Sequence, residues 1–144
     1  MSPSTFDLTV TEPLLDAFAA LSGDRNALHM DAGFARRSRY RQRVAHGMLA
    51  FALLGRLAGT PPGQAIRFRR LEGRFTAPIP LGTELRLTVE TRPGSDAEID
   101  FDATWRNLAD GLTVLAATGS YVATAPSSDV PAGGSGSLLA APVA

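Results

Sequence analysis

The segment HGMLAFALLGRL at residues 46–57 decides the fold, because it is apolar on nearly every face of a helix. Its apolar positions are Met48, Leu49, Phe51, Ala52, Leu53, Leu54 and Leu57. A helix that is apolar all round is normally buried all round. Glycine and proline at residues 59–63 stop it firmly. We therefore predict one fully buried helix from about His46 to Leu57, which other elements must cover.

The sequence after this helix changes from a helical period to a period of two. Apolar and polar side chains alternate within residues 66–71, 84–90, 98–105 and 114–123. Strict alternation is typical of antiparallel strands with one buried and one solvated face. Turn-forming residues separate these segments at 78–82, 93–96 and 107–111. We predict about four long antiparallel strands in this half of the chain.

The sequence before the buried helix predicts a short strand at residues 6–11 (FDLTVT) and then a helix. Thr11 is the predicted N-cap of that helix, Pro13 lies near its first turn, and Gly23 ends it. Residues 24–43 are predicted to be loop, with a turn of helix behind Asp31. A lone buried helix needs a sheet curved around it. We predict the α+β class and a single hotdog fold, an antiparallel curved sheet wrapped around a long buried central helix.

Length and composition limit the organisation and the function. A chain of 144 residues suits one domain, and we assign residues 1–125 to it. Residues 126–144 are rich in Ser, Gly, Pro and Ala, and we expect a disordered tail. The chain has no Cys, which excludes disulfides, thiolate metal sites and a Cys nucleophile. The zero formal charge does not favour nucleic acid, and the sequence shows neither a targeting signal nor a membrane span. We expect a cytoplasmic location.

The segment LSGDRNALH at residues 21–29 holds the candidate chemistry between two predicted helices. It places the Asp24 carboxylate and the His29 imidazole five residues apart. Such a pair can perform general acid–base catalysis. Without further information, however, a turn-forming Asp24 and a hydrogen-bonded, half-buried His29 are the simpler explanations.

Two other kinds of chemistry remain open at this point. A metal site could combine Asp24 and His29 with His46 and Asp31, the remaining His and a nearby carboxylate. A serine hydrolase could use Ser22 or Ser38 as the nucleophile. The chain lacks H-E-x-x-H and G-x-S-x-G, which weakens both alternatives.

The sequence FAALSGDRNALH at residues 18–29 resembles the signature of the MaoC-like hydratases, the (R)-specific enoyl-CoA hydratases and related dehydratases. HGML at residues 46–49 and FTAPIPLG at residues 75–82 resemble two later landmarks of that family. One departure is Ala27, which stands where the family usually has proline. The resemblance covers roughly residues 6–123 and implies a hotdog fold, in agreement with the pattern of helix and strands.

The resemblance also implies a function and a set of site residues. The implied reaction is reversible addition of water to a 2-enoyl thioester, with no metal and no redox cofactor. Asp24 and His29 are the implied catalytic pair, and the Gly47 amide is the implied oxyanion donor to the thioester carbonyl. Supporting or orienting roles fall to Ser22, Asn26 and His46.

An arginine cluster at residues 36–43 is the candidate region for recognising the thioester carrier. We expect Arg36, Arg37 and Arg39 to contact the phosphates of coenzyme A or the acidic surface of an acyl carrier protein. A solvated loop is the simpler interpretation of the same residues. The resemblance implies a homodimer. Three alternatives remain for the function: an acyl thioesterase, a non-catalytic thioester-binding or partner subunit, and a dehydratase of a carrier-bound biosynthetic intermediate.

Overall fold

The computed structural model describes residues 3–56 and 65–124 of the chain. Four α-helices and five β-strands lie in these ranges, which confirms the predicted α+β class. In chain order they are β1 (Ser4–Thr9), α1 (Glu12–Ser22), α2 (Ala27–Met30), α3 (Ala32–Arg37), α4 (Gly47–Ala52), β2 (Ala65–Phe75), β3 (Glu84–Pro93), β4 (Ile99–Asn107) and β5 (Thr113–Thr124), with a 3₁₀ helix at Leu53–Arg56 after α4.

The strands form one antiparallel sheet in the order β1-β3-β4-β5-β2. Trp105 of β4 is buried, and its indole N–H donates to the Ala50 carbonyl of α4 over 3.0 Å. This bond fixes the helix to the middle of the sheet. The sheet packed on a central helix is the predicted hotdog fold.

The alternation in the second half of the sequence predicts the sheet correctly. Leu85, Leu87 and Val89 of β3 are buried, and the neighbouring Glu84 and Arg86 are exposed. Strand β2 departs from the pattern, because its pairing with β5 shifts register between Phe68 and Arg70, and most of its residues are exposed. It forms one edge of the sheet.

The first strand begins and ends two residues earlier than predicted. Val10 leaves the strand because its N–H donates to the Thr83 carbonyl over 2.9 Å, and its carbonyl accepts from Gly82 N–H over 2.8 Å. Thr11 caps α1 as predicted, accepting a hydrogen bond from Leu14 N–H at 3.3 Å. Gly23 ends that helix at φ 76°, as predicted.

The prediction of a helix from His46 to Leu57 that is buried all round is wrong in two respects. His46 is the N-cap, and α4 gives way to the 3₁₀ helix after Ala52. Leu49 and Leu54 are buried, but Met48 is 61% exposed, because the sheet covers only one side of α4. Leu57 and the predicted stop at residues 59–63 lie outside the described residues.

The predicted tail at residues 126–144 also lies outside the described residues, so the domain boundary near residue 125 stays a prediction. Among residues 3–56 and 65–124, no helix is long and apolar enough to span a bilayer.

Candidate active site

The loop between α1 and α2 is a chain of short side-chain-to-backbone hydrogen bonds. Ser22 Oγ donates to the Phe18 carbonyl over 2.7 Å and accepts from Asp24 N–H over 3.2 Å. Asp24 Oδ1 accepts from Asn26 N–H over 3.1 Å, and Asn26 Oδ1 accepts from Leu28 N–H over 3.0 Å. Asn26 thereby caps α2, a helix that the sequence pattern did not predict.

His29 lies in α2, and the segment before α4 holds it at two points. Its Nδ1 is 2.8 Å from the Val44 carbonyl oxygen, and its own carbonyl accepts from Arg43 Nε over 2.6 Å. A carbonyl oxygen can only accept, so Nδ1 carries the proton. Nε2 is therefore the nitrogen left for chemistry.

His46 lies next to Asp24 and His29, and only 1% of its surface is exposed. Its Nε2 donates to the Asp24 carbonyl over 2.9 Å, and its ring stacks on the His29 ring with the centroids 4.1 Å apart and the planes at 32°. The Phe18 ring meets it edge-on at 5.1 Å. No described residue pairs with its Nδ1.

The structure brings together three of the polar residues that the sequence singled out. Asp24, His29 and His46 each have a side-chain atom that could bind a metal ion, and these three atoms all lie within 4.8 Å of one another. Asp31, the fourth candidate ligand, instead caps α3 by accepting from Phe34 N–H over 2.8 Å.

The hydrogen bonds of the two candidate serine nucleophiles do not support a hydrolase. A serine nucleophile donates its hydroxyl proton to a histidine. Ser22 Oγ donates to the Phe18 carbonyl, and Ser38 Oγ donates to the Ala35 carbonyl over 2.6 Å. Neither hydroxyl donates to His29 or His46.

An open cleft of about 430 Å³ lies beside His29. Gly47 and Phe75 line it, with Arg39 and Tyr40 on another part of its wall. Asp24 is outside the lining and next to His29. The remaining wall consists of Leu28, Val44, Ala45, Thr76, Ala77, Pro78 and Ile79. All three segments that carry the sequence resemblance therefore contribute to this cleft.

Gly47 begins α4 at the edge of the cleft. A Cβ atom here would lie 3.0 Å from Cζ of Phe75, so glycine allows the aromatic ring to pack directly on the helix start. No described residue accepts a backbone hydrogen bond from the Gly47 N–H, as is usual for the first turn of a helix.

The arginine cluster divides into two groups. Arg39 lines the cleft with its guanidinium 4.8 Å from the Tyr40 ring, whereas Arg36 and Arg37 are exposed in the last turn of α3. Arg43 is only 7% exposed, and the expectation that the whole run from residue 36 to residue 43 is a solvated loop or a phosphate site is wrong for it.

Arg43 joins α1 to α2. Its guanidinium donates to Glu12 Oε1 over 2.8 Å and to Asp16 Oδ1 over 3.3 Å, in addition to the His29 carbonyl. The sequence reasoning missed this role. The available signal was the pair of carboxylates four residues apart on one face of α1, which a single buried cation can bridge.

The sheet, the central helix and the cleft, with His29 in its wall and Asp24 next to His29, define a protein with a single hotdog domain and a candidate acid–base site. The sequence model of the MaoC like domain matches residues 1–104, and the chain belongs to this family.

Similar proteins of known name include hydratases and dehydratases. The (R)-specific enoyl-CoA hydratase of Aeromonas caviae is 33% identical over 111 residues, which cover 76% of this chain and 82% of that protein. The (R)-specific enoyl-CoA hydratase of Rhodospirillum rubrum is 32% identical over 82 residues, 56% of this chain and 57% of that protein. The match to the 3-hydroxybutyryl-CoA dehydratase of Methylorubrum extorquens, 34% identical, covers 51% of this chain and 47% of that one. The chain thus spans about half the length of two of these relatives.

Among solved structures, the unliganded R-hydratase of Pseudomonas aeruginosa superposes with a TM-score of 0.77. It is 29% identical, and the superposition covers 87% of this chain and 81% of that one.

Proposed function

We propose that this protein is a hydro-lyase that reversibly adds water to a 2-enoyl thioester and forms a 3-hydroxyacyl thioester. The main observation for this proposal is that a carboxylate oxygen of Asp24 lies within 4.8 Å of a ring nitrogen of His29. Because Nδ1 of His29 is bonded to the Val44 carbonyl, Nε2 is the ring nitrogen available for proton transfer. Membership of the MaoC like domain family and the names of the relatives support the same reaction.

In the proposed mechanism, Asp24 and His29 hold one water molecule between them. Hydration breaks the α,β C=C π bond of the substrate and one O–H bond of the water, and it forms a C–O bond at the β-carbon and a C–H bond at the α-carbon. One member of the pair accepts the proton from the water while the other supplies a proton to the α-carbon. No electrons are transferred to or from the substrate, so the reaction needs no redox cofactor.

The proposed site for the thioester carbonyl is the N–H of Gly47. Negative charge develops on the carbonyl oxygen as the β-carbon is attacked, and an N–H at a helix start stabilises such charge. The position of Gly47 at the cleft edge and its lack of a described acceptor support this assignment.

We propose acyl-coenzyme A as the substrate form and a cytoplasmic location for the reaction. The guanidinium of Arg39 in the cleft wall and the exposed Arg36 and Arg37 nearby offer cations for phosphate groups. With Arg39→Glu we expect an increase in KM that shrinks as salt is added. An unchanged KM at low salt would leave the arginines as a solvated surface.

We also propose a homodimer, because apolar side chains remain exposed beside the cleft. Met48 is 61% exposed and Phe75 is 46% exposed, and β2 leaves one edge of the sheet unpaired within the described residues. Light scattering should give twice the chain mass, and a monomeric mass would contradict this assembly.

The test of the reaction is the loss of enoyl absorbance when the protein is added to crotonyl-CoA. Asp24→Asn keeps the Oδ1 acceptor for Asn26 N–H, and His29→Asn keeps a donor near the Val44 carbonyl. We expect each variant to lower kcat by about 10³-fold because proton transfer is lost. Asp96→Asn, at an exposed turn, is the control.

Other outcomes would favour the competing functions. Release of free thiol would favour a thioesterase. Binding of short and long enoyl thioesters without turnover would favour a non-catalytic subunit, and turnover of carrier-bound substrate alone would favour the biosynthetic dehydratase. Full activity in both variants would contradict the assigned pair.

A further inference from the structure

His46, at the N-cap of α4, contacts both members of the proposed catalytic pair from the central helix. Asn26 bonds to both from within the loop, because its N–H donates to Asp24 Oδ1 over 3.1 Å and its carbonyl accepts from His29 N–H over 2.9 Å. Its Nε2–H donates to the Asp24 carbonyl over 2.9 Å, and its ring stacks on the His29 ring at 4.1 Å. We propose that His46 is a positioning residue, which fixes the separation of the Asp24 carboxylate and the His29 imidazole. The proposal rests on the proposed hydro-lyase function.

Among the described residues, His46 makes the hydrogen bond that links the Asp24 turn directly to the central helix. Within residues 3–56 and 65–124, the other hydrogen bonds of Asp24 join it to residues two positions away in the sequence, Ser22 on one side and Asn26 on the other. Those bonds shape the turn but do not fix its position relative to the central helix. The bond from His46, at the N-cap of α4, spans 22 residues of sequence and holds the exposed turn to the central helix.

The ring of His46 also holds the His29 imidazole in place. The bond from its Nδ1 to the Val44 carbonyl fixes one edge of the imidazole, and the His46 ring covers one face. The edge of Phe18 packs on His46, which fixes that ring in turn. Motion of His46 would therefore displace both reacting groups, and a displacement of about 1 Å can cost about 10²-fold in rate.

The choice of histidine at position 46 favours a role beyond packing. His46 is 1% exposed, and its Nδ1 has no partner among the described residues. An unpaired buried polar atom destabilises a fold, and an apolar ring of similar shape would avoid that cost. What the imidazole supplies and a phenyl ring lacks is the Nε2–H donor to Asp24.

Two substitutions separate the donor from the ring. His46→Phe keeps a buried stacked ring and removes the donor, whereas His46→Gln removes the ring and keeps an N–H group that reaches the Asp24 carbonyl. We expect His46→Phe to lower kcat on crotonyl-CoA by about 10²-fold with KM within about twofold. We expect His46→Gln to recover most of that loss. Thermal unfolding of each variant shows whether the fold is intact.

Backbone NMR provides a readout that does not depend on activity. In His46→Phe, the ¹H–¹⁵N heteronuclear NOE values of Asp24 and Asn26 should fall as the turn loosens, and in His46→Gln they should return toward the wild-type values. The chain has two His, so a ¹⁵N-histidine spectrum of the Phe variant reports His29 alone. Its Nδ1–H tautomer should persist, because the Val44 carbonyl is still present.

The outcomes separate the two levels of inference. An inactive wild-type protein with a His46-dependent Asp24 turn would refute the proposed reaction and leave only the structural attachment of the turn by His46. Unchanged NOE values in His46→Phe, or a kcat equal to wild type, would overturn the positioning role. Activity abolished by a chelator and restored by Zn²⁺ would overturn it in favour of a metal ligand.

Discussion

The sheet strands β3 to β5 and the polar layer, defined as residues 22–46, are built in different ways. In β3 and β4, buried apolar residues such as Leu87, Phe101 and Trp105 lie on the alternating positions, and the charged residues between them are largely exposed. In the polar layer, Arg43 and His46 are two of the three buried polar or charged residues among the described ones. Each of them makes contacts that no periodic pattern describes.

The difference teaches where stability and site geometry reside. The sheet is stabilised by many similar contacts, so a defect there lowers the free energy of unfolding and leaves the cleft of the folded molecules unchanged. The polar layer depends on a few hydrogen bonds to the site. A defect there should therefore alter activity in molecules that remain folded. Substitutions in the two regions can test this contrast.

The largest effect on stability is expected at Gly119 in the middle of β5. A Cβ atom at this position would lie 2.1 Å from the Arg70 carbonyl oxygen and 3.0 Å from Cε1 of Phe101. Because the first obstacle is backbone, the strands must separate. We expect Gly119→Ala to lower the free energy of unfolding by about 3 kcal/mol and Tm by about 10 °C, with kcat per folded molecule unchanged.

The control for this variant is Gly55→Ala in the 3₁₀ helix. An added Cβ at Gly55 meets no atom within 4 Å, so we expect a change of at most about 0.5 kcal/mol. Urea unfolding and the crotonyl-CoA assay measure the two quantities. A Gly119→Ala protein of normal stability, or one with reduced kcat per folded molecule, would contradict the contrast between the regions.

A smaller loss of stability, accompanied by a loss of activity, is expected at Arg43. Arg43 contacts the His29 carbonyl, Glu12 and Asp16 through three separate nitrogens, Nε, Nη1 and Nη2, whereas lysine has a single side-chain nitrogen that does not reproduce this fork. We expect Arg43→Lys to lower the free energy of unfolding by about 2 kcal/mol, since a buried ion pair is weakened while both acidic partners are partly solvated. Because the His29 carbonyl loses its bond to Arg43, kcat should fall by about tenfold.

Arg106→Lys is the matched control, since Arg106 is exposed in β4 and has no proposed role in the site. It should change neither quantity beyond the error of the measurement. If Arg43→Lys lowered stability alone, the anchor on the His29 carbonyl would be irrelevant to the site.

The regular parts of the fold were predictable because they follow from local patterns. Period-two segments predicted β3, β4 and β5, and the capping residues Thr11 and Asp31 correctly marked the starts of α1 and α3. The four-residue helix α2 was not predicted, because it is too short to show a period and depends on the Asn26 cap. The exposure of Met48 was missed because apolar composition does not show which sides of a helix are covered.

The residues of the candidate site were predictable from the sequence, but their hydrogen bonds and ion pairs were not. The resemblance selected Asp24, His29 and His46, which the structure brings together. The role of Arg43 depends on partners 27 and 31 residues away, and in the sequence it is one of five closely spaced arginines. Contacts between residues so far apart in the sequence follow from the packing of α1 on residues 43–46. A single sequence does not show this packing.

The smallest expected effect lies on the outer face of the sheet, where Asp7 of β1 pairs with Arg86 of β3 through two bonds of 2.7 Å. The hydrogen bond from Arg86 lowers the pKa of Asp7 below its ordinary value. A carboxyl group with a lowered folded-state pKa stabilises the protein above its unfolded-state pKa, and this contribution is lost as the pH falls through the folded-state value. Both groups are about half exposed, so solvent screens the pair.

We expect Asp7→Asn to lower the free energy of unfolding by about 0.5 kcal/mol at pH 7, and the difference from wild type to vanish below the lowered pKa of Asp7. A double-mutant cycle with Arg86→Gln measures the coupling between the two side chains. A coupling that persisted at acid pH would show that the contact is not ionic. A change in kcat from either substitution would break the contrast itself, because the sheet surface would then influence the site that the polar layer holds.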